Sequence, residues 1–408
     1  MNEKLWRRAK SLLTATAPRV RAWRRELHRI PEESFREYRT TEFLEKTLRE
    51  LSATAGAELT LARPAATGLI AVLSSGPGPT VALRADIDAL RQEEQTGCSF
   101  ASLHPGLMHA CGHDGHMAML LGVVAVLLGL TGAWAGEVRF IFQHAEEVHP
   151  GGAREIAAGG WLDGLDFALA THLWSTLPVG TIGLRPGPFM AAPDNFILRL
   201  RGRGGHAAMP DKTADPVTTA AHVILALQTM LTREVDPLQS VVLSVTGLSG
   251  SDAFNVIPDE VSLKGTLRVL DEDWRQLLQE KTAATARGVC AAFGLECTAE
   301  FIPGYNVVDN DPALTEKMAA ALARALPEVK IQRVEPLMCG EDFSVYQKYA
   351  PGLIFLTGAG NPAQGAVYPQ HHARFQIDED SLAIGTRALS AGALSLLDTA
   401  AGEADLRA

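Results

Sequence analysis

The feature that most constrains the fold of this chain is an alternation of apolar strand-like segments with helical segments in its first half. "TVALRAD", "EVRFIFQ" and "DFALATHL" have the length and apolar character of strands that are covered on both faces. Helical segments separate them, and the longest apolar one runs from 117 to 130. This alternation predicts an α/β fold with a mostly parallel sheet and helices on both of its faces.

The order of elements changes from about residue 190. Six segments then follow the order strand, helix, strand, strand, helix, strand: "NFILRLRG", 214–232, "SVVLSVTGL", "EVSLKGTLRV", 272–293 and "ECTAEFIP". This βαββαβ order is typical of a small ferredoxin-like unit. The α/β pattern resumes after about residue 305 and ends with a helix over 379–398. We therefore predict a discontinuous α/β domain, 1–189 and 305–408, with a ferredoxin-like domain inserted at 190–304.

Composition and charge exclude several classes of protein. The net charge is −10 and no basic stretch is long enough to follow a phosphate backbone, so nucleic acid is not an expected partner. The apolar run over 117–130 is too short to span a bilayer, and the N-terminus lacks the pattern of a signal peptide. Five cysteines, an odd number at irregular spacing, indicate reduced thiols and a cytoplasmic location.

Acidic and histidine side chains stand where three of the predicted strands end. Asp88 follows "TVALRAD", Glu146 and Glu147 follow "EVRFIFQ", and His172 lies at the end of "DFALATHL". In open α/β sheets, ligands gather at the carboxyl ends of the strands. The shared placement of these side chains therefore predicts a functional site at this edge of the sheet.

The segment "GLMHACGHDGHMAML" (106–120) places Cys111 and His113 in a polar turn directly before the apolar helix. Thiolate and imidazole are the usual ligands of zinc and similar ions. A buried thiol beside a helix-capping histidine is the commoner explanation for such a pair taken alone, because short motifs often match by chance. His116 is expected on the first helical turn or behind the ligands, and the role of His109 stays open.

The acid pair in "FQHAEE" suits metal-assisted hydrolysis. Adjacent residues at a strand end point in roughly opposite directions, so one carboxylate can bind a metal while the other faces a bound water. A carboxylate near such a water can act as a general base. The alternative is a solvated acid pair on the surface, which a buried strand before the pair and "GG" after it make less common.

A nucleotide-binding function is the rival that "RGRGGHAAMP" suggests. Gly202, Gly204 and Ala207 fit the pattern G-x-G-x-x-A after a strand. However, Pro210 and Pro216 interrupt the helix that should follow, and no acid stands about 20 residues beyond the first glycine to bind a ribose. We interpret the match as accidental and expect His206 to be exposed at a loop tip.

The chain as a whole resembles the M20 family of metallopeptidases. The resemblance is closest to its amidohydrolase branch of aminoacylases, hippurate hydrolases and auxin-conjugate hydrolases. The motifs that carry it follow one another over residues 27–375: "LHRIPEESFREYRT", "LRADIDAL", "MHACGHDGH", "FQHAEE", "GGAREI", "THLWSTLPVGTI", "GRGGHAAMP", "NVIPD", "GTLR", "GEDF" and "HHARF". The resemblance implies a metal-binding catalytic α/β domain with an inserted ferredoxin-like lid, which is also the family's dimerisation domain.

The resemblance also implies the parts of a two-metal site. Its ligands would be Cys111, His113, Glu147, His172 and His371. Glu146 would be the general base, Asp88 would orient a metal-binding histidine, and His206 on the lid would stabilise the oxyanion. Asn255 and Arg268 match positions that hold a substrate carboxylate, for which the arginine fork is well suited. "HHARF" has alanine where proline is common, so His371 and His372 remain alternatives as the fifth ligand.

The implied activity is hydrolysis of the amide bond of N-acyl amino acids with two divalent ions per subunit. The Cys111 thiolate favours zinc, with manganese, cobalt and nickel as alternatives. A dipeptidase or carboxypeptidase with the same dinuclear site is the nearest rival function, and a metal-binding protein without catalysis is the rival of another class. The expected partners are a small N-acyl amino acid and further copies of the chain, in a homodimer or higher homo-oligomer, with neither nucleic acid nor membrane.

Overall fold

The computed structural model describes residues 2–397 of the 408-residue chain. Met1 and residues 398–408 lie outside the described residues. The predicted α/β domain includes all of them, and the helix predicted over 379–398 includes residue 398. Among the described residues, no helix has both the length and the apolar composition that crossing a membrane requires.

The helices of the described chain are α1 (Glu3–His28), α2 (Tyr38–Ala55), α3 (His113–Leu128), α4 (Gly152–Ala158), α5 (Pro216–Glu234), α6 (Glu272–Ala292), α7 (Pro312–Ala325) and α8 (Asp380–Leu396). The first eight strands are β1 (Thr60–Ala62), β2 (Leu69–Ser74), β3 (Thr80–Asp86), β4 (Glu137–Gln143), β5 (Phe167–Pro178), β6 (Thr181–Leu184), β7 (Gly187–Met190) and β8 (Ala192–Arg201). The others are β9 (Gly205–His206), β10 (Val241–Ser249), β11 (Val256–Ile257), β12 (Glu260–Val269), β13 (Glu296–Ile302), β14 (Val308–Asn310), β15 (Lys330–Arg333) and β16 (Gly352–Gly360).

The larger sheet has eight strands in the order β1-β2-β4-β3-β5-β16-β6-β15. Its centre is parallel, because β3 pairs in parallel with both β4 and β5, and β5 pairs in parallel with β16. Antiparallel pairs occur between β1 and β2, β2 and β4, and β16 and β6. The sheet is therefore mainly parallel and the fold is mixed α/β, as the alternation of strands and helices predicts.

Helix α3 anchors the core behind this sheet. It is apolar nearly all round, and all but one of its sixteen residues are buried. It packs against α1 and α8, and it also contacts β3 and β5. A side chain at Gly122 would come within 2.8 Å of Val20 and Thr386, so glycine permits the close approach of the three helices. This packing fixes the N-terminus of α3, where His113 lies.

A second sheet has four strands in the order β10-β12-β8-β13, all antiparallel. Helices α5 and α6 pack together and against this sheet, and its core includes Phe196, Leu198, Val223 and Leu278. The chain order is β8, α5, β10, β12, α6, β13, so each element appears where the sequence predicts a strand or a helix.

The chain divides into two compact units. Within the described residues, one comprises 2–187, Asp309–Glu335 and 342–397, and the other comprises Pro188–Val308 and Pro336–Glu341. The segment 336–341, which the sequence-based boundaries assign to the α/β domain, thus lies in the second unit. Backbone hydrogen bonds explain this placement, since Leu337 donates to Phe189 at 2.8 Å and accepts from Ala191 at 3.1 Å.

Candidate metal centre

Three neighbouring parallel strands bring polar residues to one edge of the sheet. His172 lies within β5, which continues to Pro178, and not at the strand end where the sequence analysis places it. Asp86 at the end of β3 is in register with Gln143 at the end of β4. Arg84 is in register with Ala170 of β5, so His172 lies level with Asp86. Because the carboxyl ends of parallel strands share one edge, the residues that follow them converge there.

The turn before α3 delivers Cys111 and His113 to the same edge. Gly112 is the N-cap of the helix and has φ 89°, a backbone conformation that glycine adopts without strain. The Nδ1 atom of His113 lies 3.0 Å from the carbonyl oxygen of Asp88 and 3.3 Å from its carboxylate Oδ1. This contact places the proton on Nδ1 and leaves Nε2 of His113 free to bind a metal.

His172 is oriented in the same way. Its Nδ1 donates to the carbonyl oxygen of Leu173 at 2.8 Å, and its Nε2 lies 3.4 Å from the Cys111 sulfur. Burial holds the pKa of His172 well below its usual value, so the ring is neutral and suited to metal binding.

His116 lies behind these ligands rather than among them. Its Nδ1 donates to the Asp86 carboxylate at 2.6 Å, and its Nε2 accepts the backbone N–H of Leu173 at 2.9 Å. Both ring nitrogens are thus occupied, and the ring packs edge-on against His172 with centroids 4.6 Å apart. Its place on the first helical turn and behind the ligands agrees with the sequence-based expectation.

The acid pair and the C-terminal histidine complete the cluster. The Glu147 N–H donates to Asp88 Oδ2 at 3.0 Å, and Glu147 Oε1 lies 3.4 Å from Nε2 of His371. His371 has φ 64° and its N–H donates to Ala110 at 2.8 Å, whereas His372 stacks on Tyr368 with ring centroids 4.4 Å apart. The geometry therefore favours His371 over His372 as the ligand.

Donor atoms of the predicted ligands lie within 4.8 Å of one another in three overlapping groups. These are Cys111, His113 and His172; Cys111, Glu147 and His371; and His113, Glu146 and Glu147. The structure thus brings together all five predicted ligands, with Glu146 beside two of them. Cys111 belongs to two of the three groups, and the ligand set would suit two ions.

The electrostatics of the cluster fit a cation. Burial raises the pKa of the Cys111 thiol well above its usual value, and the charges of Glu147, Glu146 and Asp86 raise it further. Burial alone would lower the pKa of His113, but Asp86 and Asp88 raise it to about 10. The Nε2 atom of His113 is buried and has no hydrogen-bond partner among the described residues. A divalent ion would neutralise this concentration of negative charge and bind the unpaired nitrogen.

Two further acids support the site from behind and carry no role in the sequence analysis. Asp342 accepts from Arg84 at 2.8 Å, and another nitrogen of Arg84 donates to Asp86 at 2.7 Å. Glu37 accepts the N–H of Ala145, the residue before the acid pair, at 2.8 Å, and burial raises its pKa to about 7. The motif "GEDF" includes Asp342, but only the folded chain shows which residues it contacts.

Three predicted site residues, His206, Asn255 and Arg268, belong to the second unit. The first two lie together, and the third lies far from them. His206 on β9 is in register with Val256 of β11, and Ala207 donates to the carbonyl of Asn255 at 3.0 Å, so His206 and Asn255 are neighbours. Arg268 lies near the far end of β12, eight residues beyond Glu260, which is the end of β12 next to the β9–β11 pair. At about 3.4 Å per residue, roughly 27 Å of strand separates Arg268 from the β9–β11 pair. Asn255 and Arg268 of one chain therefore do not meet on one carboxylate.

Comparison with known proteins identifies the family of the chain. Residues 82–394 match peptidase family M20/M25/M40. The chain belongs to this family. The N-acyl-L-amino acid amidohydrolase of Geobacillus stearothermophilus is 45% identical over 302 residues, which are 74% of this chain and 80% of the relative. Thermostable carboxypeptidase 1 of Saccharolobus solfataricus is 37% identical over 368 residues, which are 90% of this chain and 92% of the relative.

A solved structure of the same family supports the expectation of two metal ions. It is a dinuclear metal binding M20 peptidase of Bacillus subtilis, 33% identical to this chain, with a TM-score of 0.83 over 95% of this chain and 99% of that one. The M20 resemblance that the motifs indicate is thus confirmed, and the chain is a hydrolase of this family. The donor cluster on the larger sheet suits two divalent ions.

Proposed function

We propose that this M20 hydrolase cleaves the amide bond of N-acyl amino acids, releasing a carboxylate and a free amino acid. The observation that carries the proposal is the cluster of Cys111, His113, Glu147, His172 and His371, in which the acid Glu146 lies beside His113 and Glu147. The amidohydrolase relative supports the substrate class.

Two divalent ions held by these ligands would polarise the substrate carbonyl and lower the pKa of the attacking water. Glu146 takes the proton from that water and passes it to the leaving nitrogen. Asp88 holds the His113 ring by its Nδ1 and thereby keeps Nε2 directed to the cluster. The buried position of Asp88, which is fully inaccessible to solvent, keeps this orientation fixed.

We propose zinc as the native metal, because a thiolate in the ligand set favours zinc over manganese. The five cysteines of the chain are free thiols in the structure, which supports a reducing, cytoplasmic location.

We propose that the second unit is a ferredoxin-like lid that also forms a homodimer. Its β9–β11 pair would bring His206 and Asn255 to the site of the partner protomer, with His206 stabilising the oxyanion. Arg268 would bind the substrate carboxylate in its own protomer's site. The separation of Arg268 from His206 and Asn255 within one chain supports this division of roles.

A carboxypeptidase is the second candidate, because the relative from Saccharolobus solfataricus carries that name at 37% identity. Both reactions use the same metal ligands and general base, and they differ only in the group on the acyl side of the scissile amide.

The decisive experiment measures hydrolysis of N-acetyl-methionine, N-benzoyl-glycine and a dipeptide by the purified chain before and after chelation. We expect the N-acyl substrates to be cleaved with the highest kcat/KM, and activity to return when zinc is restored. Preferential cleavage of the dipeptide would replace the aminoacylase assignment with a peptidase. No metal-dependent cleavage of any of the three would contradict the proposal.

A further inference from the structure

A second group of metal-donor side chains lies apart from the five ligands described above. It consists of His28 in the last turn of α1 and of Glu94 and Cys98 in the segment between β3 and α3. The Nε2 atom of His28 lies 3.3 Å from Glu94 Oε1, and the Cys98 sulfur lies 3.6 Å from the same oxygen. We propose that His28, Glu94 and Cys98 bind a third divalent ion of the zinc type.

The distances within the group suit a tetrahedral ion. Bonds of about 2.0–2.1 Å to nitrogen and oxygen and about 2.3 Å to sulfur place tetrahedral donors about 3.3–3.6 Å apart. The two observed separations, 3.3 and 3.6 Å, match this spacing closely. All three donor atoms lie within 4.8 Å of one another, so one ion can reach them with small side-chain movements. Nitrogen, carboxylate and sulfur together are a donor set typical of zinc.

His28 is already oriented as a metal-binding histidine. Its Nδ1 donates to the buried carboxylate of Asp114 at 2.8 Å, which directs Nε2 toward Glu94. Arg24 donates to the same oxygen of Asp114 at 2.7 Å and holds that carboxylate in place. Histidines that bind metals usually donate their other ring nitrogen to a carboxylate in this manner. The His28 side chain is only 2% exposed, so the orientation is rigid.

The charge around the group permits exchange of protons for a divalent ion. Burial alone would lower the pKa of His28, but Asp114 raises it to about 10. Burial alone would raise the pKa of the Cys98 thiol, but its hydrogen bonds with His28 and Thr96 lower it. Zinc would displace one proton from His28 Nε2 and one from the Cys98 thiol, both released to solvent. Two positive charges leave and two arrive, so the local charge is unchanged.

Access and the fourth position are provided by the partial exposure of Cys98. Cys98 is neither buried nor fully exposed, while His28 closes the group on its inner side. A water on the open side, or the hydroxyl of Thr96 that contacts Glu94, can serve as the fourth ligand.

The proposed ion would brace the chain next to the dinuclear site. Gln95 donates its N–H to the carbonyl of Ala373 at 2.8 Å, and the side chain of Gln376 donates to the carbonyl of Thr96 at 3.1 Å. These bonds join the Glu94–Cys98 segment to the segment that carries His371. An ion at Cys98 therefore stabilises the position of a dinuclear-site ligand without contacting substrate.

The test is the metal content of the full chain after dialysis against zinc, compared between the wild-type protein and Cys98→Ser. We expect Cys98→Ser to bind one zinc ion fewer per chain than the wild-type protein. The exposed cysteine Cys339 supplies the matched control, and Cys339→Ser should bind as much zinc as the wild-type protein. Glu94→Gln, which keeps the side-chain volume, should lower the affinity for this third zinc ion at least about tenfold.

Cobalt gives an independent readout, because thiolate bonded to cobalt(II) absorbs in the near ultraviolet. The spectrum of the cobalt-loaded wild-type protein minus that of cobalt-loaded Cys98→Ser should show such a band, since Cys111 contributes equally to both. Equal metal content and no difference band would overturn the proposal. Rapid alkylation of wild-type Cys98 in zinc-loaded protein would likewise overturn it and would identify an activated thiol. Both readouts are differences between variants, so they stand apart from whether the enzyme cleaves N-acyl amino acids.

Discussion

Glu147 Oε1 lies 3.4 Å from Nε2 of His371, although Glu147 follows β4 and His371 follows β16. The backbone of His371 is fixed by its hydrogen bond to Ala110, one residue before Cys111. Three distant parts of the chain therefore close one metal cluster. Substitution of a ligand in any one part should disrupt the cluster, so the ligands can be tested one at a time by mutation.

The two adjacent acids are expected to respond differently to amide substitution. Glu146→Gln should retain both metals and lower kcat by about 10²–10⁴, since a general base contributes about that much. Glu147→Gln should lose metal as well as activity, because a neutral amide binds a divalent ion more weakly than a carboxylate. Elemental analysis and kcat on N-acetyl-methionine distinguish the two variants. Near-normal turnover in Glu146→Gln would contradict its role as the base.

Removal of the Cys111 thiolate should release metal. Cys111→Ser keeps the volume of the side chain but replaces a soft thiolate by a hydroxyl, so zinc should be lost on dialysis. Cys290→Ser is the matched control, because Cys290 is also a buried cysteine but lies on α6 in the second unit. Unchanged zinc content in Cys111→Ser after dialysis would show that the thiolate is not a ligand.

The two histidines of "HHARF" offer an internal comparison. His371→Ala should lose at least one metal and nearly all activity, because His371 Nε2 faces Glu147. His372→Ala should keep its metals, since the His372 ring stacks on Tyr368 instead. Metal content and kcat/KM of the two variants measured side by side decide between them. The reverse pattern would make His372 the ligand.

The sequence predicts those parts of the site that depend on local order. Asp86 ends β3, Glu147 follows β4, and parallel pairing brings the ends of these strands together with His172 of β5. The type of element along β3, β4 and α3 follows from the length and apolar composition of each segment, which are local properties.

Other features depend on contacts between distant residues, which one sequence does not reveal. The support that Glu37 gives to Ala145 requires α2 to lie against the end of β4. The separation of Arg268 from Asn255 depends on the register of β12 with β8, which becomes visible only in the paired sheet. The short strands β6 and β15 have four residues each, too few to show a period.

A buried ion pair in the second unit provides a prediction about stability. Asp194 accepts two hydrogen bonds from Arg275, at 2.5 and 2.9 Å, and its side chain is fully buried. Asp194→Ala leaves Arg275 with Glu272 as its only acidic partner among the described residues and removes the acceptor of Gln279 and of the Gly304 N–H. It should therefore lower the free energy of unfolding of this unit by about 3–5 kcal/mol, measured by urea denaturation.

The same pair predicts a dependence on pH. Burial alone would raise the pKa of Asp194, but its hydrogen bonds from Arg275 and Gly304 lower it. A lowered folded-state pKa means that this contribution is present above the unfolded pKa of about 3.9 and is lost as the pH falls below it. The loss of stability between about pH 5 and pH 3 should therefore be smaller in Asp194→Ala than in the wild-type protein. An identical acid dependence in both would show that Asp194 does not titrate as the ion pair requires.

The proposed division of the site between two protomers can be tested by mixing two inactive variants. His206→Ala lacks the oxyanion group that would serve the partner, and Arg268→Ala lacks the carboxylate-binding group of its own site. Each homodimer has two defective sites and should be nearly inactive. If the variants are mixed equally, unfolded and refolded together, half of the dimers are mixed, and one of the two sites in each mixed dimer has both groups intact. About a quarter of the wild-type activity should return.

The expected recovery depends on the distance along β12 that separates Arg268 from the β9–β11 pair, where His206 lies. If both residues served the site of their own chain, every site in the mixture would lack one of them and no activity would return. Refolding each variant alone is the control, because it separates complementation from recovery caused by the procedure. Full inactivity of the mixture, with dimers verified by light scattering, would assign His206 and Arg268 to the same protomer and would contradict the shared site.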